Sequence, residues 1–121
     1  MSIMPFWRVE LPPEAYNLGP EIQVIYYKNG SEDRTIKLIQ SDPGYQQILH
    51  YLTQSKKVWK YDTTSYAPII LIRGSGITLN CFNRSSVVYF KDQNSNPIQL
   101  SSDPILAPNC GLKILEEHLK L

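Results

Sequence analysis

Two alternating runs around an Asn-Gly dipeptide limit what this chain can fold into more than any other feature. Ile22, Val24 and Tyr26 alternate with Gln23, Ile25 and Tyr27, then Lys28-Asn29-Gly30-Ser31-Glu32-Asp33 interrupts. Arg34 to Ile39 alternates again, with Ile36 and Leu38 on one side. A period of two is that of a strand with one buried face. Asn-Gly between two such runs marks a hairpin, because both residues reach positive φ at little steric cost. The pattern predicts strands over 22–28 and 34–40, joined by a loop longer than the minimal two residues. A hairpin connection makes the pair antiparallel.

A helix follows. Asp42 is placed to accept a hydrogen bond from the free amides of the first turn, and Pro43 occupies the first helical position, where its missing N–H costs nothing. Tyr45, Ile48, Leu49 and Leu52 fall at i, i+3, i+4 and i+7 and make one apolar stripe, with Gln46, Gln47, Thr53 and Gln54 facing outward. Lys56 and Lys57 complement the negative end of the helix dipole. The spacing predicts a helix over 43–57. Trp59 also fits the helical stripe, so residues 58–61 read equally as a helix extension or a short strand. A single amphipathic helix of this length needs a sheet to lie on.

The second half reads as a β meander. Ile69-Ile70-Leu71-Ile72 is a continuous apolar run, expected of a strand covered on both faces. Gly74-Ser75-Gly76 supplies a turn, strands are predicted over 77–82 and 87–91, and 98–100 forms a short edge strand. A last helix is predicted over 110–119, capped by Asn109, with Leu112, Leu115 and Leu119 inward. Residues 1–21 carry Pro5, Pro12, Pro13 and Pro20, which forbid a helix interior, so they form an extended arm with Phe6, Trp7, Val9 and Leu11 as its adhesive side chains. The expected architecture is α+β: a single antiparallel sheet of five or six strands in β-β-α-β-β-β order, with one helix on one face and a short C-terminal helix. The domain spans 22–121.

Composition narrows the function. With 121 residues the chain can build one core without staples. Its formal charge of +1 excludes the strong long-range field that draws a protein onto nucleic acid or an anionic bilayer. No apolar run approaches the roughly 18 residues of a membrane-spanning helix, so membrane insertion is not expected. The stretch Met1-Ser2-Ile3-Met4-Pro5-Phe6-Trp7 lacks the basic and apolar regions of an intact secretory signal. The compartment is left open between the cytoplasm and a mature secreted form. Cys81 and Cys110 are too few for a disulfide framework; one bridge between them needs Cα atoms within about 7 Å, and reduced, partly buried thiols are the favoured reading. Asn29 and Asn83 both stand in glycosylation sequons, but each lies in a predicted turn whose chemistry explains the Asn.

Catalytic chemistry has little to draw on. His50 and His118 are the only histidines, and with Cys81 and Cys110 they show none of the spacing that preorganises zinc. A Cys81–His50 nucleophile pair is opposed by geometry: Cys81 shares the strand face of Ile77 and Leu79, whereas His50 lies off the helical stripe. Gly74-Ser75-Gly76 joins two strands, not a strand to a helix, and does not cradle phosphate. The pairs Glu32/Asp33 and Glu116/Glu117 read as solvated surface. No catalytic residue, metal or cofactor is expected. Lys56, Lys57 and Lys60 interleave with Trp59 and Tyr61 as in a single-strand nucleic-acid groove, but a helix end and core aromatics explain them better.

Tyrosines are the surplus: there are eight. Tyr26 and Tyr27 project to opposite sheet faces, as do Tyr89 and Phe90, and the helix covers one face only. An open second face bearing Ile25, Tyr27, Thr35 and Ile39 would be a docking surface, unless the arm or the last helix closes it. The sequence therefore suggests a non-enzymatic protein-interaction, inhibitor or accessory module that uses an aromatic-rich sheet surface or edge. Trp7, Ile25, Tyr27, Ile39, Trp59, Tyr89 and Phe90 are its candidate binding residues, and the partner is another protein or a second copy. The alternative is a small-molecule-binding or small enzymatic domain with a tyrosine-lined pocket between sheet and helix.

Overall fold

A computed structural model describes residues 8–54, 57–82 and 85–102. Seven strands form one antiparallel sheet: β1 (Glu21–Lys28), β2 (Ser31–Ile39), β3 (Trp59–Tyr61), β4 (Ile70–Arg73), β5 (Ile77–Cys81), β6 (Ser86–Lys91) and β7 (Pro97–Ser102). One helix, α1 (Pro43–Thr53), lies between β2 and β3 in sequence. The α+β class with a single antiparallel sheet agrees with the sequence. The strand number and order do not: among the described residues there are seven strands, ordered β2-β1-β4-β5-β6-β7-β3. The helix expected over 110–119 lies outside the described residues.

The β1–β2 hairpin is tighter than its sequence suggested. Asn29 and Gly30 have φ of 54° and 81°, and Lys28 pairs directly with Ser31. That is the two-residue turn whose twist matches the strands on either side. Alternation fails at 31–33 because of a bulge, not a loop. Tyr26 faces Arg34 and Tyr27 faces Glu32, which leaves Asp33 as the extra residue.

Helix α1 stops at Thr53, short of the expected 57, because Gln54 is extended with φ −63° and ψ 125°. Asp42 does not cap the first turn. Its carboxylate accepts the Ile39 amide at 2.8 Å and so closes the turn out of β2. Tyr45, Ile48, Tyr51 and Leu52 are the buried helix residues. Tyr51 takes the inward place expected for Leu49, which is half-buried.

Beyond α1 the chain reaches the far edge of the sheet, where β3 pairs with β7 and Trp59 faces Ser102. It then returns through 62–69 to β4, which lies between β1 and β5. Sequence neighbours usually pair, and this crossover is the exception that the strand pattern did not reveal. It also makes 98–100 part of an interior strand rather than an edge.

On the helix side the core is continuous. Ile22, Ile70, Ile72, Leu79, Val88 and Leu100 pack with Ile48 and Leu52 of α1, each such side chain stabilising the fold by about 1.5–3 kcal/mol. The described part of the arm belongs to the same side. Val9 exchanges backbone hydrogen bonds with Trp59, Pro13–Tyr16 forms a 3-10 turn, and Leu11, Ala15 and Leu18 join the core. The Tyr45 hydroxyl donates to the Gly19 carbonyl. A Cβ on Gly74 would stand 2.8 Å from the Leu18 carbonyl oxygen, so a glycine there lets the arm lie against the β4–β5 turn. Cys81, fully buried at the end of β5, is disulfide-bonded. The expected reduced thiol at that position is corrected accordingly. The chain's other cysteine, Cys110, lies outside the described residues.

Candidate functional site

Strand register sets the layout of the sheet face turned away from α1. Thr35, Ile25, Leu71, Asn80, Val87, Ser101 and Lys60 form one row across all seven strands. The next row is Lys37, Gln23, Arg73, Thr78, Tyr89 and Gln99. Among the described residues the exposed large apolar side chains are Ile39, Tyr61, Tyr66, Ile69 and Tyr89, each 40–51% exposed. All but Tyr61 lie on or over this face. Scattered apolar exposure is ordinary; its concentration on one side of a sheet is not.

The residues singled out from sequence divide between the two faces. Ile25, Tyr27, Ile39 and Tyr89 share the outer face, with Ile25 buried, Tyr27 half-buried and the other two exposed. Trp59 and Phe90 do not belong there: they are 1% and 3% exposed and sit in the core. The alternation that turns Tyr89 outward turns Phe90 inward, and Trp59 meets the edge of Tyr51 at 6.3 Å between ring centroids. A buried Trp59 cannot stack on a nucleic-acid base beside Lys57 and Lys60. Trp7 lies outside the described residues.

Two functional candidates were not found by sequence reasoning. The segment 62–69 runs over the outer face and brings Tyr66 with it. It is pinned at several points: the Asp62 amide donates to the Gln99 carbonyl, and Gln99 Nε2 donates to the Thr64 carbonyl at 2.8 Å. The Asp62 carboxylate accepts the Thr64 amide and the Tyr66 hydroxyl. Partial burial works against the Asp62 charge, but these donors outweigh it and hold the carboxyl below its ordinary value. The same hydrogen bond, with burial added, raises the Tyr66 phenol. The Tyr66 ring leans on Phe82 at 5.6 Å between centroids.

The second missed residue is Asn80. It is 8% exposed in the middle of β5, and its side-chain oxygen accepts no hydrogen bond among the described residues. Low strand propensity was the available hint. Asn80 lines a hollow of about 240 Å³ walled by Tyr66 and Tyr89, with Leu71, Thr78, Val87 and Gln99 around it. A neighbouring hollow of about 260 Å³ brings in Lys60, Asp62 and Ser85.

Other concavities differ in character. One of about 370 Å³ lies between the arm and the β6–β7 loop and carries Glu10, Glu14 and Asp92. Another of about 610 Å³ surrounds the β4–β5 turn with Arg73 and Lys91. Between α1 and the sheet, Tyr45, Ile48, Tyr51 and Leu52 are buried. No cluster of His, Cys, Asp and Glu among the described residues is arranged to hold a metal ion, and no helix among them is long and apolar enough to cross a membrane. His50 is exposed on α1 and Cys81 is buried in its disulfide. Comparison with family models, curated proteins and solved structures finds no match for this chain.

Proposed function

We propose that the chain is a non-enzymatic protein-binding module that docks its partner on the sheet face turned away from α1. The observation that carries this reading is the gathering of exposed Ile39, Tyr66, Ile69 and Tyr89 on that one side, while α1 and the described part of the arm occupy the other. Interfaces use tyrosine because it buries a large area with few rotatable bonds. The loop over this face is held by the Tyr66 hydroxyl donating to Asp62 and by Gln99 donating to Thr64, so a partner meets a surface already ordered. Preorganisation of that kind lowers the entropic cost of association.

The test is positional. A photoreactive phenylalanine analogue placed at Tyr89, and separately at exposed Gln46 on α1, is activated in extract of the native source. A discrete protein adduct at position 89 with none at 46 is the expected outcome. Equal labelling at both positions, or an adduct at 46 alone, would reject this face as the docking surface.

A further inference from the structure

We propose that two copies of this chain pair edge to edge through β2, antiparallel and centred on Thr35, so that Asp33 of each copy meets Lys37 of the other. This pairing goes beyond the docking face and does not depend on it. The sheet order leaves β2 and β3 at its two ends. The β3 end is blunted, being three residues long with Val9 bridged to Trp59. The β2 end is nine residues long, and among the described residues no strand pairs with its far side. Such an edge presents a row of main-chain donors and acceptors that a further strand can use. Ile39 fixes their direction. Its amide donates to the Asp42 carboxylate and its carbonyl accepts the Asp42 amide, so both groups point away from β1. Main-chain groups alternate in direction along an antiparallel strand, so those of Thr35 and Lys37 point the same way. Both side chains are exposed.

Charge identifies the occupant as a second copy. A lysine and a bulge on an edge ordinarily discourage a foreign strand. Here Lys37 and the bulge residue Asp33 stand two residues either side of Thr35, which makes the edge complementary to itself. Two copies related by a two-fold axis normal to the sheet keep their faces in common, and the residue at the axis opposes its own copy. An axis at Glu32, Asp33, Arg34 or Lys37 sets like charges directly against each other, which destabilises the pair. An axis at Ile36 sets Lys37 against Thr35, and Asp33 against Ile39, whose main-chain groups Asp42 already holds. Among positions 32 to 37, only the axis at Thr35 places opposite charges directly across, Asp33 against Lys37 twice over. It also sets Thr35 against Thr35, a favourable cross-strand pair. Arg34 is engaged elsewhere, with its guanidinium 5.6 Å from the Tyr26 ring centroid.

Sedimentation velocity of the full chain at increasing concentration, up to about 1 mM, should show a monomer–dimer equilibrium. Lys37→Glu and Asp33→Lys, each alone, turn both cross-strand pairs into like-charge pairs and should weaken association at least tenfold. The two variants mixed in equal amounts should recover it, because both lysines of one copy then meet carboxylates of the other. The proposal is overturned if the natural chain stays monomeric throughout, if either variant alone associates like the natural chain, or if the mixture stays monomeric. Should Asp33→Lys fail to fold, Lys37→Glu is compared with Lys91→Glu, the same charge change made in β6. Loss in the first and none in the second supports the β2 edge; equal loss in both rejects it.

Discussion

Tyr26 lies on the helix side of β1 with its ring buried and the Arg34 guanidinium 5.6 Å from the ring centroid. Burial pushes its phenol up to about 12, and the Arg34 charge works weakly the other way. The unfolded chain ionises this group near the ordinary value of 10.0. Between those two values the unfolded state has therefore given up its proton while the folded state still holds it, and stability falls with rising pH. The contribution is complete below about pH 10 and lost as pH rises through about 12. Tyr51 is shifted in the same direction, again chiefly by burial. Melting temperature measured from pH 9 to 12 should fall across that window, and Tyr26→Phe should fall less steeply than the natural chain. Asn80 marks the limit of sequence reading at this scale: alternation gives the face a side chain points to, but not whether a distant loop covers that face.

Among the elements, α1 was legible and its ends were not. The apolar stripe and Pro43 fix where the helix starts and which side faces the sheet. Its last turn carries Tyr51, which the stripe did not include. The Tyr51 hydroxyl meets Ser86 Oγ of β6 at 2.5 Å, and the Ser86 amide donates to Ser102 Oγ of β7 at 3.0 Å. These contacts tie the last turn of α1 to two strands far from it in sequence, so no local pattern could show them. Tyr51→Phe keeps the ring and removes the hydroxyl, and should cost about 1–2 kcal/mol, read as a lower urea midpoint with an unchanged slope. The β1–β2 hairpin was legible because Asn29 and Gly30 state their own turn. The place of β3 was not, because its pairing with β7 depends on a long crossover and on three residues, Trp59 to Tyr61, whose sequence also suits a helix.

At the scale of the whole molecule, seven strands present two unlike faces. The helix side carries α1, the described part of the arm and one core cluster. The outer side carries a pinned loop, exposed aromatics and a buried amide that folding alone does not explain. Near-neutral charge agrees with a surface that works through aromatic and amide groups more than through a long-range field. Sequence alternation anticipated that Ile25, Tyr27, Thr35 and Ile39 share a face and that Tyr89 and Phe90 point to opposite ones. It could not anticipate that α1 and the described part of the arm occupy the same side while the 62–69 loop crosses the other, because the side a connection takes is settled by packing between distant residues. The most direct measurement is calorimetric affinity for the protein that cross-links at position 89, compared among the natural chain, Tyr89→Ser and Gln46→Ala. Tyr89→Ser should bind at least tenfold more weakly at unchanged melting temperature, with Gln46→Ala indistinguishable from the natural chain. Undiminished binding by Tyr89→Ser, or a matching loss in Gln46→Ala, would contradict a docking surface on the outer face.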